Sequence, residues 1–284
     1  MWVLSLSKRR PLWCKYRRAR HQKRPRFCRV VPPSEYLFGM SGNPNTLYDA
    51  IAATWPAAQL HRAGPWIIRD GQGGGKRVSA ATAEGPVQPA DIQQAQRAML
   101  DLGQRPLFLL RDGEADVDAL LADVGYMTID RTNLYQSPIA DIATQQPPRT
   151  SMFCIWEPLQ IQYDIWAAGG ITAPRLAIMQ RTNATKTSLF ARWNNRPAAT
   201  GFVAIHAGIA MVHAVEVLAQ QRGQKVASWL IRAAAFWAKE HGATRLAVLC
   251  TEANTAANSL YSSLGMTFSG QYHYRIQKGV LDEH

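Results

Sequence analysis

Residues 212–266 read VHAVEVLAQQRGQKVASWLIRAAAFWAKEHGATRLAVLCTEANTAANSLYSSLGM, and this stretch decides the fold. A strand delivers the chain to Arg222-Gly223-Gln224-Lys225-Val226-Ala227, which opens a helix. Val226, Trp229, Leu230, Ala233 and Trp237 recur at steps of three and four, the period of one helical face. The first amides of a helix have no carbonyl one turn back, and its dipole adds about half a positive charge there. Such a start is a natural seat for pyrophosphate, although any strand-to-helix turn with a glycine offers something similar. Downstream, Asn254-x-x-Ala257-x-x-Leu260-Tyr261-x-x-Leu264 lays its apolar residues along one stripe of a second helix. Gly265 ends that helix and Met266 opens a last strand.

The flanking sequence extends the pattern in both directions. Strands are expected at Arg175–Met179, Ser188–Trp193, Ala198–His206 and Ala210–Leu218, after a helix near Pro158–Ala168. The helix Gly223–His241, the strand Arg245–Thr251, the helix Asn254–Leu264 and the strand Met266–Ile276 complete the chain. Earlier, Asn45 caps a helix running to Trp55. Ala63–Asp70 and Lys76–Ala83 read as strands around Gly71-Gln-Gly-Gly-Gly75, whose spacing fits neither phosphate-loop pattern and suits a hairpin turn. A helix Pro89–Leu102, a strand Arg105–Arg111, a helix Asp116–Val124 stopped by Gly125, and a strand Tyr126–Tyr135 follow.

Antiparallel hairpins running into a β-α-β-α-β ending imply a mixed α/β (α+β) architecture, mostly antiparallel and flanked by helices. The order strand, helix, Gly-Tyr, strand at 105–135 echoes strand, helix, Gly-Met, strand at 245–276, as a duplication with a degenerate first copy would. Pro138–Arg149, with three prolines, looks like a linker. The expected division is a basic extension at 1–39, a degenerate first domain at 40–137, a linker at 138–150 and the site-bearing domain at 151–284.

Charge and composition narrow the function. The chain of 284 residues is 47% hydrophobic, which excludes disorder as its dominant state. Its net charge is +12, but residues 1–39 hold eleven Lys and Arg against Glu35 alone, leaving +2 for the remainder. The basicity therefore belongs to an appendage. That segment reads as a disordered arm for nucleic acid or an anionic surface, as a targeting segment, or as sequence ahead of a start at Met40. No stretch reaches the roughly 20 apolar residues of a membrane span. Cys14, Cys28, Cys154 and Cys250 form no C-x-x-C pair, so free thiols in a reducing, cytoplasmic setting are expected. No H-E-x-x-H, G-x-S-x-G or calcium-loop pattern appears, so neither a metal site nor a serine nucleophile is expected. His206 and His213 fall on expected strands, as ordinary buried or half-buried residues. The nine tryptophans form no base-stacking platform.

The two-part motif, Arg222-x-x-[Gly]-x-Ala227 followed by Asn254-x-x-Ala257-x-x-Leu260-Tyr261-x-x-Leu264-Gly265, resembles the GNAT superfamily of acetyl-CoA-dependent N-acetyltransferases. The resemblance covers residues 175–276 well and 45–136 faintly, and implies a GNAT-like fold arranged in tandem. It implies that Arg222, Gly223, Gln224, Lys225, Val226, Ala227 and Ser228 hold a pyrophosphate, with Asn254 near the cofactor. Asn254 could also serve purely as a helix cap. It further implies that pantetheine lies between the strands 210–218 and 245–251, pairing with the backbone at Val215 and Val217 like an added strand. One of those amides would polarise the thioester carbonyl.

Lys225 departs from the family pattern, which has glycine there. A side chain could crowd the phosphates, turn outward, or place its ammonium on them.

Direct transfer to a primary amine, on a small molecule or a peptide, needs a base for the amine proton. Glu216 lies mid-strand in an apolar run where burial would raise its pKa; it could equally face solvent or pair with a cation. Glu252 is a second candidate. By resemblance, Tyr261 protonates the departing thiolate, against the alternative of a core tyrosine. Two other readings stand beside this one: a non-catalytic acyl-CoA-binding module, motivated by Lys225, and a nucleic-acid-associated protein using the basic arm. The first half could line the acceptor pocket, cover the catalytic half, or mediate a homodimer.

Overall fold

The computed structural model describes residues 29–30 and 47–277. Two sheets carry the chain. The smaller is antiparallel, in the order β1 (Arg29–Val30), β2 (Gln59–Ala63), β3 (Trp66–Asp70), β4 (Thr82–Ala83), with helix α1 (Leu47–Thr54) between β1 and β2. Two residues of the expected disordered extension thus lie in a sheet, with Arg29 opposite Arg62. The rest of that extension, with Met40 and the expected cap Asn45, falls outside the described residues.

After α2 (Pro89–Asp101), β5 (Leu107–Arg111), α3 (Ala115–Asp123) and β6 (Tyr126–Pro138) enter the larger sheet. That sheet continues through β7 (Met152–Ile155), helices α5 (Gln160–Ala168) and α6 (Ala173–Arg181), and strands β8 (Thr185–Trp193), β9 (Arg196–His206) and β10 (Ile209–Val217). Helix α7 (Val226–Glu240), β11 (Arg245–Thr251), α8 (Thr255–Ser263) and β12 (Thr267–Gln277) end it. The spatial order is β5-β12-β6-β11-β10-β9-β8-β7. The mixed, mostly antiparallel α/β architecture is therefore present.

The expected boundary at 137/138 cuts through this sheet. β6 lies between β11 and β12, while β12 lies between β5 and β6, so each half places its last strand inside the other. The β6–β12 register is reciprocal: Thr267 faces Gln136 at one end and Ile276 faces Met127 at the other. Parallel contact recurs in both halves too, as a single bridge between Ala81 and Phe108 and as a four-pair ladder from Ile209–Arg245 to Val212–Val248. The expected linker is not a free one. It opens with the last residue of β6 and the short helix α4 (Ile139–Ile142), whose Ile139 and Ile142 are buried in the main core.

Two other expectations are corrected. Arg175–Met179 is helical, within α6, where Thr172 takes the extended N-cap position and Pro174 occupies the first turn, in which a missing N–H costs nothing. The tight turn of the β2–β3 hairpin is at Gly64–Pro65. The glycine cluster joins β3 to β4 through a longer loop with a 3₁₀ turn at Lys76–Val78.

That loop has a packing reason for its glycines. A Cβ on Gly74 would lie 2.7 Å from Ile178 Cδ1 of α6, 2.9 Å from the Gly71 carbonyl oxygen and 2.9 Å from Val78 Cγ2. Gly73 sits against Pro174, and Gly75 against the Arg175 guanidinium. The first half is thereby seated on α6. Trp55 and Val78 from the first half share one core with Trp166, Ile178 and Phe202 from the second. Gly74→Ala should lower the unfolding free energy by about 1–3 kcal/mol, the usual cost of overpacking. A urea midpoint equal to that of the native chain would mean the loop does not hold α6.

Candidate active site

The site begins where β10 and β11 part. Their parallel pairing ends at Val212–Val248. Beyond it β10 pairs only with β9, through a bulge between His213 and Glu216, whereas Leu249, Cys250 and Thr251 of β11 pair with β6. Ala214, in the bulge, is left-handed with φ 51°. Its carbonyl accepts a 2.8 Å hydrogen bond from the buried Trp166 indole. His213 is fixed from the first half: its Nε2 lies 2.9 Å from Thr54 Oγ1 and its Nδ1 3.2 Å from Arg77 Nη1. Arg77 can only donate, so Nδ1 accepts and Nε2–H donates to Thr54, whose hydroxyl donates to the Ala50 carbonyl. Burial and then the Arg77 charge hold His213 well below the ordinary imidazole pKa, hence neutral. The expectation of an ordinary buried histidine holds for burial but omits this anchoring role.

The loop after β10 faces the parting. Lys225, immediately before α7, has φ 62° and ψ 14°, the left-handed conformation natural to glycine. Gly223 is left-handed as well, with φ 74°. No side chain caps α7 and no acid lies in its first turn, so the amides of Val226, Ala227 and Ser228 have no intrahelical partner. Val226 is buried, Ala227 and Ser228 are half-buried, and Lys225 is exposed. Arg222 Nε reaches back 3.2 Å to the Val217 carbonyl, and Gln224 Nε2 lies 3.2 Å from the Gln220 carbonyl. Gln221, 5% exposed, leaves Oε1 without a partner among the described residues. Sequence reasoning passed over it, and only its place one residue before Arg222 could have flagged it.

The corresponding start of α2 is closed. There Asp91 Oδ2 accepts from Gln88 N at 2.8 Å, Asp91 N donates to the Gln88 carbonyl at 2.9 Å, and Pro89 has no N–H to offer. That arrangement occupies the donors and sets a carboxylate in the first turn, which disfavours phosphate. The amides at the start of α7 are thus uncapped, whereas the start of α2 carries a carboxylate in its first turn.

On the other wall, Asn254 caps α8 by accepting from Ala257 N at 3.0 Å. Asn258 ties α8 to the end of β11, donating to the Asn254 carbonyl at 2.7 Å and the Thr251 carbonyl at 3.0 Å, and accepting from Tyr135 Oη at 2.8 Å. Tyr261 is buried in the core beside Val226 and Cys250, with its ring 5.8 Å from that of Tyr135. Burial, with a smaller push from Cys250, raises its pKa and keeps its hydroxyl protonated.

Val215 and Val217 pack toward the α7 side. Glu216 packs on α5: a Cβ on Gly169 would fall 2.2 Å from Glu216 Cδ. Burial raises the Glu216 pKa, and the charges of Arg222 and Arg175 oppose that rise. Glu252 is exposed and donates its amide to the Arg131 carbonyl at 2.7 Å. Val215, Val217, Val226 and Tyr261 thus share one core, Glu216 packs on the other side of β10 against Gly169, and Glu252 and Asn254 stand at the start of α8. Among the described residues there is no cluster of His, Cys, Asp and Glu able to hold a metal, and no helix long and apolar enough to cross a membrane.

Comparisons with known proteins fall on the same residues. The model of the Acetyltransferase (GNAT) family matches residues 155–266. The protein named Uncharacterized N-acetyltransferase YobR, from Bacillus subtilis (strain 168), is 25% identical over 238 residues, which is 80% of this chain and 96% of that protein. A GCN5-related N-acetyltransferase from Kribbella flavida has the same fold, with a TM-score of 0.62 at 19% identity over 78% of this chain and 90% of that one. A tandem GNAT protein from the clavulanic acid biosynthesis pathway shares the fold with a TM-score of 0.53 at 12% identity, over 76% of this chain and 77% of that one. The chain is an acetyltransferase whose residues 155–266 match the GNAT family.

Proposed function

We propose that the chain is an acetyl-CoA-dependent N-acetyltransferase, built from two GNAT-like units of which the second keeps the site and the first braces it. One observation carries this reading: an uncapped helix start at Lys225–Ser228, free of acids, beside strands that separate after Val212. The diphosphate of the co-substrate would take the amides of Val226, Ala227 and Ser228, with Lys225 supplying a cation from a backbone conformation that glycine usually provides. That conformation supports the catalytic reading over a non-catalytic module, since the backbone follows the path a glycine would give it. When bound, acetyl-CoA supplies an activated acyl group.

The chain's own residues would then manage two protons. Glu216 would take one from the acceptor amine, directly or through a water, so that nitrogen attacks the thioester carbonyl as a neutral base. An amide at Val215 or Val217 would stabilise the charge forming on the carbonyl oxygen. As the carbon–sulfur bond breaks, Tyr261 Oη would give its proton to the sulfur and regain one from solvent. Gly169 leaves Glu216 the space to lie against the end of α5.

Titration calorimetry of the full chain with acetyl-CoA tests the reading at its root, and no heat at millimolar nucleotide would end it. Tyr261→Phe should lower kcat about a hundredfold or more, the scale of general acid catalysis, with acetyl-CoA affinity unchanged. Unchanged turnover would return Tyr261 to the core alone. A base works only when deprotonated, so the rate should fall as pH drops through the raised Glu216 pKa, and Glu216→Gln should abolish that limb. A profile of the same shape in the variant would exclude Glu216.

Lys225→Gly should stabilise the fold by up to about 1 kcal/mol, because a left-handed position favours glycine. A loss of stability in thermal melts would contradict the strain assigned to Lys225.

A further inference from the structure

Beside the loop that opens α7 lies a hollow of about 240 Å³, formed by the β8–β9 turn and the chain entering β7. Arg149, Arg192, Trp193, Asn194 and Asn195 line it. Asn194 and Asn195 are left-handed, with φ of 48° and 62°, a conformation that asparagine tolerates well. The Arg192 guanidinium donates to Asn195 Oδ1. Asn194 Nδ2 donates to Gln224 Oε1 at 2.8 Å, which ties the hollow to the loop at the start of α7.

Arg149, Arg192, Arg222 and Lys225 are all exposed, and none lies within ion-pair distance of a carboxylate among the described residues. Beyond residue 39 the net charge is only +2, so Arg149, Arg192 and Lys225, together with Arg222 whose charge also acts on Glu216, are a local excess. The planar fork of arginine suits a phosphomonoester. On the opposite flank, α8 begins beside the exposed carboxylate Glu252, which would repel one.

We infer that the hollow at Arg149 and Arg192 binds the 3′-phosphate of the acyl-carrying nucleotide and makes the enzyme discriminate against the form that lacks it. This rests on the diphosphate seat proposed above. The 3′-phosphate shares a ribose with that diphosphate, so it must land on adjoining surface, and the hollow is the adjoining cationic one.

Calorimetric titration of the full chain with acetyl-CoA and with acetyl-dephospho-CoA tests it. The unmodified chain should prefer acetyl-CoA by about tenfold or more, the scale of one hydrogen bond to a charged group. The double variant Arg149→Ala/Arg192→Ala should bind both nucleotides equally, at the affinity the unmodified chain shows for acetyl-dephospho-CoA. Millimolar inorganic phosphate should weaken the acetyl-CoA titration alone. Equal affinities in the unmodified chain, a preference that survives the double substitution, or no competition by phosphate would each overturn the inference while the diphosphate seat stands. No heat with either nucleotide would overturn both.

Discussion

The site depends on a limit to pairing: β10 and β11 hold each other for four residue pairs and then separate. Parallel strands left to themselves would continue the ladder, because each unmade backbone hydrogen bond in a protein interior is costly. The chain prevents this by pinning β10 on its other side. The Trp166 indole holds the Ala214 carbonyl in the bulge, and Thr54 and Arg77 hold His213 beside it. β11 is turned away by a full antiparallel ladder with β6, from Arg245–Pro138 to Thr251–Thr132. Both anchors of the parting therefore draw on the first half of the chain, through Thr54 and Arg77 on one wall and β6 on the other.

This gives a physical account of what the first half contributes. Its own helix start, at α2, is closed by Gln88, Pro89 and Asp91. What it retains is shape. The Gly73–Gly75 loop receives α6, the Trp55 ring lies tilted 5.0 Å from that of His213, and β6 brings Tyr135 against both Asn258 and Tyr261. Tyr261 thus owes its position to two halves at once. Removing β6 would leave β11, α8 and β12 without their common neighbour.

Much of this was legible in the sequence where local chemistry decides the outcome. The helix at 226–240, the cap at Asn254 and the glycine stop at Gly265 each announce themselves within a few residues, and the structure has them. Arg175–Met179 was misread as a strand although Thr172 and Pro174, two helix-start signals, stand just upstream. The reciprocal placement of β6 and β12 was beyond reach, since a strand's pattern records which face is buried and not which strand lies beside it. The glycine loop suffered likewise: its demand for space comes from Ile178, about a hundred positions away.

The departure at Lys225 shows how backbone and side chain can be selected separately. A left-handed residue at that point turns the chain into α7, whichever side chain it carries, at a cost of about 1 kcal/mol for anything other than glycine. The cost brings a cation to the mouth of an uncapped helix, in a region whose exposed cations include Arg222, Arg192 and Arg149. The domain beyond residue 39 is nearly neutral, so it has no general field to draw an anion in. Attraction must then be local, and a strained lysine beside three arginines concentrates it where the backbone amides are already unpaired. The strained conformation at Lys225 is held because α7 buries Val226, Leu230, Ile231 and Trp237 in the main core.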